Sequence, residues 1–144
     1  MDHQVGESDF RLLPKFLKSK NAILNSQNND QRSFGYAISY SFHPSDWRNN
    51  WSVEDRFIQH GLDKIKYPVH PEDIPMLENK LNIRINLFSF IDQGGYKRYS
   101  LYISKKYKPD EVNLLYWEGR FAWIKYMSRL FCDARKYANS LFLL

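Results

Sequence analysis

Apolar residues in the first part of the chain recur at the three- and four-residue spacing of helices. Phe10, Leu13 and Phe16 share one face of a helix predicted over residues 8–20. A polar run without periodicity follows at residues 25–31. We interpret that run as a loop or flexible joint.

Residues 33–42 are small and aromatic, and their apolar side chains nearly encircle a helix. This pattern predicts a helix buried in the core, although a strand is an alternative because Tyr, Phe and Ile also favour sheets. Pro44 ends the element, since proline restricts the residue before it. Further helices are predicted over residues 45–61 and from about Ile74 to Leu81.

Beyond Leu81 the apolar pattern changes to period two. Residues 83–90 and 96–104 alternate on either side of a Gly-Gly turn, which predicts a hairpin. A second pair, 112–117 and 121–126, flanks the short turn Glu118-Gly119-Arg120. Helices followed by strands are typical of α+β domains. We therefore predict N-terminal helices packed on an antiparallel sheet of about four strands, followed by a tail that begins as a helix.

The composition supports a folded, intracellular chain. Its 144 residues are 43% hydrophobic and 17% aromatic, which is too apolar for a disordered protein. No apolar run approaches the roughly 20 residues that span a bilayer, and the start does not have the pattern of a secretory signal. The single cysteine, Cys132, excludes an internal disulfide. We expect a location in the cytoplasm or nucleus, away from membranes.

The sequence contains few of the patterns that are typical of catalytic or metal-binding sites. The four histidines lack metal-ligand spacing, and no Gly-rich phosphate loop is present. We expect neither a metal nor another cofactor. Basic residues do cluster, and with the tyrosines between them they would form a platform on which nucleic-acid bases stack, unless they simply cover a solvated hairpin. These residues are Lys97, Arg98, Lys105, Lys106 and Lys108.

Residues 29–38 end shortly before His43-Pro44 and are similar to a segment of the form Asp-x-x-Cys-Phe-x-Trp-x-Val. That segment occurs in proteins of Maverick/Polinton mobile elements, in or beside their protein-primed family B DNA polymerase, and this chain resembles those proteins. The resemblance covers roughly residues 29–131. The other similar segments are 67–69, 73–75, 78–79, 83–88, 101–105, 112–115 and 124–130.

The same family segment is similar to cysteine proteases of the OTU and papain groups. Such enzymes place a nucleophilic Cys at the start of a buried helix and a His base on a later strand. The resemblance places Asp30 at the family's Asp position and Ser33 at the position of the nucleophile. It places Arg120 at the position of the His base, which is followed by an aromatic residue, here Phe121. Both chemical positions therefore depart from the family pattern.

These departures imply a loss of catalysis. A serine hydroxyl is a poor nucleophile without an adjacent base, and arginine stays protonated at physiological pH. The leading hypothesis is a pseudoenzyme that binds another protein or peptide in the former substrate groove. The alternatives are a basic accessory domain that contacts nucleic acid and a residual hydrolase that uses Ser33. The aromatic residues predicted to line the groove are Tyr36, Trp47, Trp51, Trp117, Phe121 and Trp123.

The predicted organisation has three parts. Residues 1–28 form an N-terminal helical segment and linker, and residues 29–138 form the protease-like domain. Residues 139–144 form an apolar tail that is either packed into the core or available to a partner.

Overall fold

The computed structural model describes the backbone of residues 13–14, 17, 22–26, 28, 30–44, 53–92, 96–108 and 110–129, and the side chains of the same residues apart from 91–98. This part of the chain forms three α-helices, two short 3-10 turns and five strands. The α+β class predicted from the sequence is confirmed. The helix predicted over 8–20 and the C-terminal tail lie almost entirely outside the described residues.

Apart from the short first strand, the helices precede the strands along the chain, as the sequence pattern predicts. The helices are α1 (Ser33–Phe42), α2 (Val53–Gln59) and α3 (Ile74–Leu81), and the 3-10 turns are Leu62–Lys64 and Pro71–Asp73. The strands are β1 (Ile23–Leu24), β2 (Arg84–Asp92), β3 (Tyr96–Tyr102), β4 (Glu111–Trp117) and β5 (Arg120–Ile124). None of the described helices is long and apolar enough to cross a membrane.

The five strands form one sheet in the order β1-β5-β4-β2-β3. Three of the four pairings are antiparallel, but β2 and β4 run parallel. Strand β3 runs antiparallel to β2 and returns the chain to the end of the sheet where β2 begins. Strand β4 begins at the same end, where the N–H of Arg84 donates to the carbonyl of Asp110 at 2.9 Å. The sheet is therefore mixed and has one strand more than the antiparallel sheet of about four that the sequence predicted.

Apolar side chains cover both faces of the sheet. The first cluster lies between the sheet and the three helices, and the second lies on the opposite face, because successive strand residues point to opposite sides. The first cluster includes Phe34, Ile38, Phe57, Leu77, Ile85, Leu114 and Phe121. The second cluster includes Leu17, Ala22, Phe88, Leu115, Ala122 and Ile124.

Helix α1 is the buried helix that the sequence predicts, with the same bounds, so the strand alternative is wrong. The ring of Phe34 meets the ring of Phe121 edge-on, with centroids 5.4 Å apart. A Cβ atom on Gly35 would lie 2.5 Å from the Phe57 ring and 2.6 Å from the hydroxyl of Tyr67. Glycine is therefore required where α1 approaches α2.

A buried carboxylate connects α3 to the sheet. Glu78 is completely buried, and it accepts hydrogen bonds from the backbone N–H of Ile85, at 2.9 Å, and from the hydroxyl of Tyr102. The bond to Glu78, together with burial, raises the pKa of Tyr102 to about 12. Since a buried carboxylate is costly unless hydrogen-bonded, these two donors explain how the core accommodates it.

The turn between β4 and β5 sets the register of the region that contains the candidate catalytic positions. Glu118 and Gly119 both have positive φ, 52° and 75°, which is the backbone of a type I′ hairpin turn. Trp117 consequently pairs with Arg120, which begins β5 rather than lying in the turn. Arg120 and Phe121 then direct their side chains to opposite faces of the sheet.

Candidate functional site

Ser33, the predicted nucleophile position, is the first residue of α1. Its side chain is completely buried, at 0% exposure. The hydroxyl oxygen accepts a hydrogen bond from the backbone N–H of Phe121 at 2.9 Å. The contact joins the start of α1 to the start of β5, so Ser33 acts as a structural link between helix and sheet.

Arg120, the predicted base position, is also buried, at 4% exposure. Its guanidinium donates to the carbonyl of Ser26 at 2.6 Å, and to the carbonyl and side-chain oxygen of Asn28 at 3.3 and 2.8 Å. The hydroxyl of Ser26 in turn donates to the side-chain oxygen of Asn28. The guanidinium thus holds the segment between β1 and α1 against β5.

Asp30 continues the same hydrogen-bond chain toward the surface. Its carboxylate accepts from Asn28 Nδ2 at 3.0 Å, from Arg32 Nη2 at 2.9 Å and from the Tyr36 hydroxyl at 3.1 Å. Burial alone would raise the pKa of Asp30, but these hydrogen bonds and the charge of Arg32 lower it. Burial and the charge of Asp30 raise the pKa of Tyr36 to about 12. Both groups therefore keep their ordinary charge states at neutral pH.

We call this region the junction and define it as Ser26, Asn28, Asp30, Ser33, Arg120 and Phe121. Its charged groups are a guanidinium that remains protonated and a carboxylate that already accepts hydrogen bonds from three residues. A nucleophile has to contact its substrate, and a completely buried hydroxyl does not meet that requirement. The junction brings Asp30, Ser33 and Arg120 together, and its hydrogen bonds connect β5 to the start of α1 and to the segment before that helix.

Two imidazoles meet at the opposite end of α1. The Nε2 atoms of His43 and His60 are 2.8 Å apart, and the ring of Phe42 stacks on His60 with centroids 4.4 Å apart. Burial lowers the pKa of His60, and the nearby charges of His43 and Arg56 lower it further. Since α1 has ten residues, this pair lies about 15 Å along the helix from Ser33. Among the described residues, no group of three or more potential ligands is placed to hold a metal ion.

The aromatic residues predicted to line a groove are distributed over different parts of the molecule. Phe121 and Trp123 belong to the first core cluster, at 0% and 9% exposure. Tyr36 packs at the margin of that cluster, whereas Trp117 packs against the second cluster on the other face. Trp47 and Trp51 lie outside the described residues. The described side chains therefore do not form one aromatic groove.

The basic segment presents a different surface. Tyr99, Leu101 and Ile103 are substantially exposed, and Tyr107 is fully exposed, at 100%. Lys105 is exposed, and Lys106 and Lys108 are partly exposed. Lys97 and Arg98 lie within β3, outside the region whose side chains are described. Tyr102 is turned inward to Glu78, so it is unavailable for stacking on a base.

No protein-family model, curated protein or solved structure matches this chain. The resemblance to Maverick/Polinton proteins and to OTU and papain proteases therefore stays a prediction carried by the residues quoted for it.

Sequence reasoning missed two members of the junction, Ser26 and Asn28. Both lie in the polar run interpreted as a loop or flexible joint, yet they are 5% and 8% exposed. Strand β1, within the predicted N-terminal segment 1–28, also pairs with β5 and belongs to the sheet. No local signal identifies these residues, because their partner Arg120 is more than ninety positions away in the sequence.

Proposed function

We propose that this chain is a non-catalytic protein-binding domain built on a core of the cysteine-protease type. The observation that carries the proposal is the burial of Ser33, whose hydroxyl accepts the N–H of Phe121. Attack by this hydroxyl would require α1 to separate from β5 and would leave that N–H unpaired in the core. An unpaired buried donor costs about 1–3 kcal/mol, which favours the arrangement in which the Ser33 hydroxyl stays bonded to this N–H.

The binding part of the proposal is supported by the large apolar side chains exposed near the edge of the sheet. Tyr99 and Leu101 lie on β3, and Ile103 directly follows that strand. Elsewhere in the described residues, Ile58 and Met76 are exposed on separate helices. A concentration of exposed apolar residues in one segment is typical of interaction surfaces, whereas isolated ones are ordinary.

The catalytic question is tested with a ubiquitin-tail fluorogenic substrate and an acyl ester. We expect the full chain and Ser33→Ala to give the same signal as buffer, because neither has an accessible, activated nucleophile. Hydrolysis by the natural chain that is lost in Ser33→Ala would show a residual hydrolase and contradict the proposal. Circular dichroism of both proteins provides the control for folding.

The binding question is tested by selecting peptides from a displayed random library against the folded full chain. We expect enriched peptides to bind in solution with micromolar dissociation constants, as is usual for short segments docked on a domain surface. Failure to enrich any sequence above an unrelated domain of similar charge would count against protein binding.

A nucleic-acid function has one specific observation in its favour. Tyr107 is fully exposed and lies between Lys106 and Lys108 in the sequence, so its ring is available to stack on a base. Titration of a single-stranded oligonucleotide at increasing salt tests this alternative. Phosphate contacts would make the affinity fall steeply with salt, and absence of binding at low salt would remove it.

A further inference from the structure

Strand β3 is the last strand of the sheet, and in the described part of the chain it pairs only with β2. In such a strand, alternate residues direct their backbone N–H and C=O groups away from the sheet. These groups form a template on which another extended chain can be hydrogen-bonded. The register slips once along β3, between the pairs Leu87↔Tyr102 and Phe88↔Ser100, which leaves Leu101 without a partner on β2.

The charge of the molecule is concentrated at this edge. Residues 96–108 contain five basic residues and no acidic residue. The rest of the chain has sixteen basic and sixteen acidic residues, so the segment accounts for the whole net charge of +5. A positive potential of this kind attracts an acidic partner and repels a basic one.

The end of the edge is held in place by polar contacts. The N–H of Ser104 donates to the side-chain oxygen of Asn86 at 2.9 Å, and the N–H of Lys106 donates to the hydroxyl of Ser104 at 3.1 Å. Ser104 is itself buried, at 3% exposure. The backbone that follows β3 therefore leaves the sheet in a defined direction, with the fully exposed Tyr107 just beyond it.

We propose that the outer edge of β3 binds an extended, acidic segment of a partner protein, which adds to the sheet as a sixth strand. Backbone hydrogen bonds along β3 provide affinity for any extended chain. The exposed side chains of Tyr99, Leu101 and Ile103 contact apolar residues of the segment, and Lys105, Lys106 and Lys108 contact its carboxylates. This inference rests on the proposed protein-binding function and adds the surface, the binding mode and the chemistry of the partner.

The surface fits this occupant better than the other candidates. A second copy of the chain would place one segment 96–108 against another, and the five positive charges on each would repel. A single-stranded nucleic acid would match the charge, but Leu101 and Ile103 are aliphatic and Tyr102 is turned into the core, so few rings remain for stacking.

The test is an NMR titration of the isotopically labelled full chain with a capped nine-residue peptide of alternating valine and glutamate. We expect chemical-shift changes at residues 96–108 and slower amide exchange at alternate residues of β3. The same peptide with N-methyl groups on alternate residues keeps every charge but loses the donors along one edge. It should bind at least about tenfold more weakly, because several backbone hydrogen bonds are removed.

Two pairs of variants sharpen the result. Lys105→Glu should weaken binding about threefold, whereas Lys66→Glu, an exposed lysine elsewhere with the same change in net charge, should have no effect. Leu101→Ser should weaken binding about fivefold through lost apolar contact, whereas Ile58→Ser on α2 should leave it unchanged. Equal effects within either pair would overturn the assignment of the edge.

Three further outcomes would also overturn it. The first is equal affinity for the N-methylated peptide, which would mean that charge alone is recognised. The second is tighter binding of a thymidine oligonucleotide at the same residues under physiological salt, and the third is saturation by peptide with shifts outside 96–108. None of these outcomes changes the result of the hydrolysis assay. Evidence against binding at the edge of β3 can therefore be distinguished from evidence against the non-catalytic assignment.

Discussion

The junction at the start of α1 and the outer edge of β3 use polar and charged residues in opposite ways. In the junction, Arg120 is buried and its guanidinium donates to Ser26 and Asn28. At the edge, Lys105 and Tyr107 are exposed, and the segment around them contains no acidic residue. The junction directs its polar groups toward other parts of the protein, whereas the edge leaves charge and apolar surface directed outward.

Under the proposed function, this difference assigns stability to the junction and binding to the edge. Ser33 and Arg120, which resemble a catalytic pair in position, hold helix α1 and the segment before it to the sheet, and they therefore contribute stability. The exposed residues of the edge add little to the core, yet the segment 96–108 carries the whole net charge of the chain. Substitutions in the junction should therefore change the free energy of unfolding, and substitutions at the edge should change binding.

The largest effect is expected for Arg120→Met. The change leaves the buried carbonyls of Ser26 and Asn28 without their charged donor, and we expect it to lower the free energy of unfolding by about 3 kcal/mol. Urea denaturation measures the loss. The control is Arg84→Met, which removes a partly exposed ion pair with Glu111 and should cost less than about 1 kcal/mol. Equal losses of unfolding free energy in the two variants would show that Arg120 stabilises the fold no more than a partly exposed arginine does.

Ser33→Ala is expected to cost about 1–2 kcal/mol, because the N–H of Phe121 loses its acceptor in the core. Ser39→Ala is the matched control on the same helix. Ser39 is also buried, and it lies about 9 Å further along α1 than Ser33. A stability for Ser33→Ala equal to that of Ser39→Ala would mean that the hydroxyl does not link α1 to β5.

The pH dependence separates the two ends of α1. His60 has a folded-state pKa below its ordinary value of 6.5, so below that pH the unfolded chain binds more protons than the folded one. Its stabilising contribution is present above pH 6.5 and is lost as the pH falls through the lower, folded-state pKa. We expect the melting temperature to fall on acidification from pH 7 to 5, and part of this fall to disappear in His60→Gln.

The same measurement on Ser33→Ala tests whether an imidazole acts on the junction. We expect this variant to keep the pH slope of the natural chain between pH 7 and 5, because the His43–His60 pair is at the other end of the helix. Loss of the slope in Ser33→Ala would instead reveal a histidine coupled to the serine hydroxyl and would reopen the hydrolase hypothesis.

The smallest effect on stability is expected at the edge. Lys105→Glu should change the free energy of unfolding by less than about 0.5 kcal/mol, because an exposed surface charge makes few contacts. Urea denaturation alongside the peptide titration measures both properties on one sample. A destabilisation comparable to that of Ser33→Ala would mean that the edge is structural and would remove the contrast with the junction.

Local patterns were sufficient for most of the secondary structure. The sequence predicts α1 with its observed bounds, because the small and aromatic residues begin at Ser33 and Pro44 ends the element. Alternation predicts the strands of both hairpins, and Glu118-Gly119 marks the turn between β4 and β5. The concentration of positive charge in 96–108 is likewise visible in the sequence, since it depends on composition alone.

The candidate site was only partly accessible to such reasoning. The resemblance singles out Ser33 and Arg120, but the polar run before α1 offered no reason to include Ser26 and Asn28. Nor did aromatic composition distinguish Phe121 and Trp123, which are core residues, from aromatic side chains on a surface. Burial depends on what other elements cover a residue, and that information is distributed over the whole chain.

By itself, then, the sequence determined the helical and alternating segments and the excess of positive charge. Only the tertiary structure decided that β4 runs parallel to β2, that β3 lies at the edge and that Arg120 binds a segment more than ninety residues earlier. The physical reason is the distance along the sequence over which the relevant interactions act. Periodicity reports which side of an element is buried, whereas the choice of partner depends on how distant segments compete for the same sheet and core.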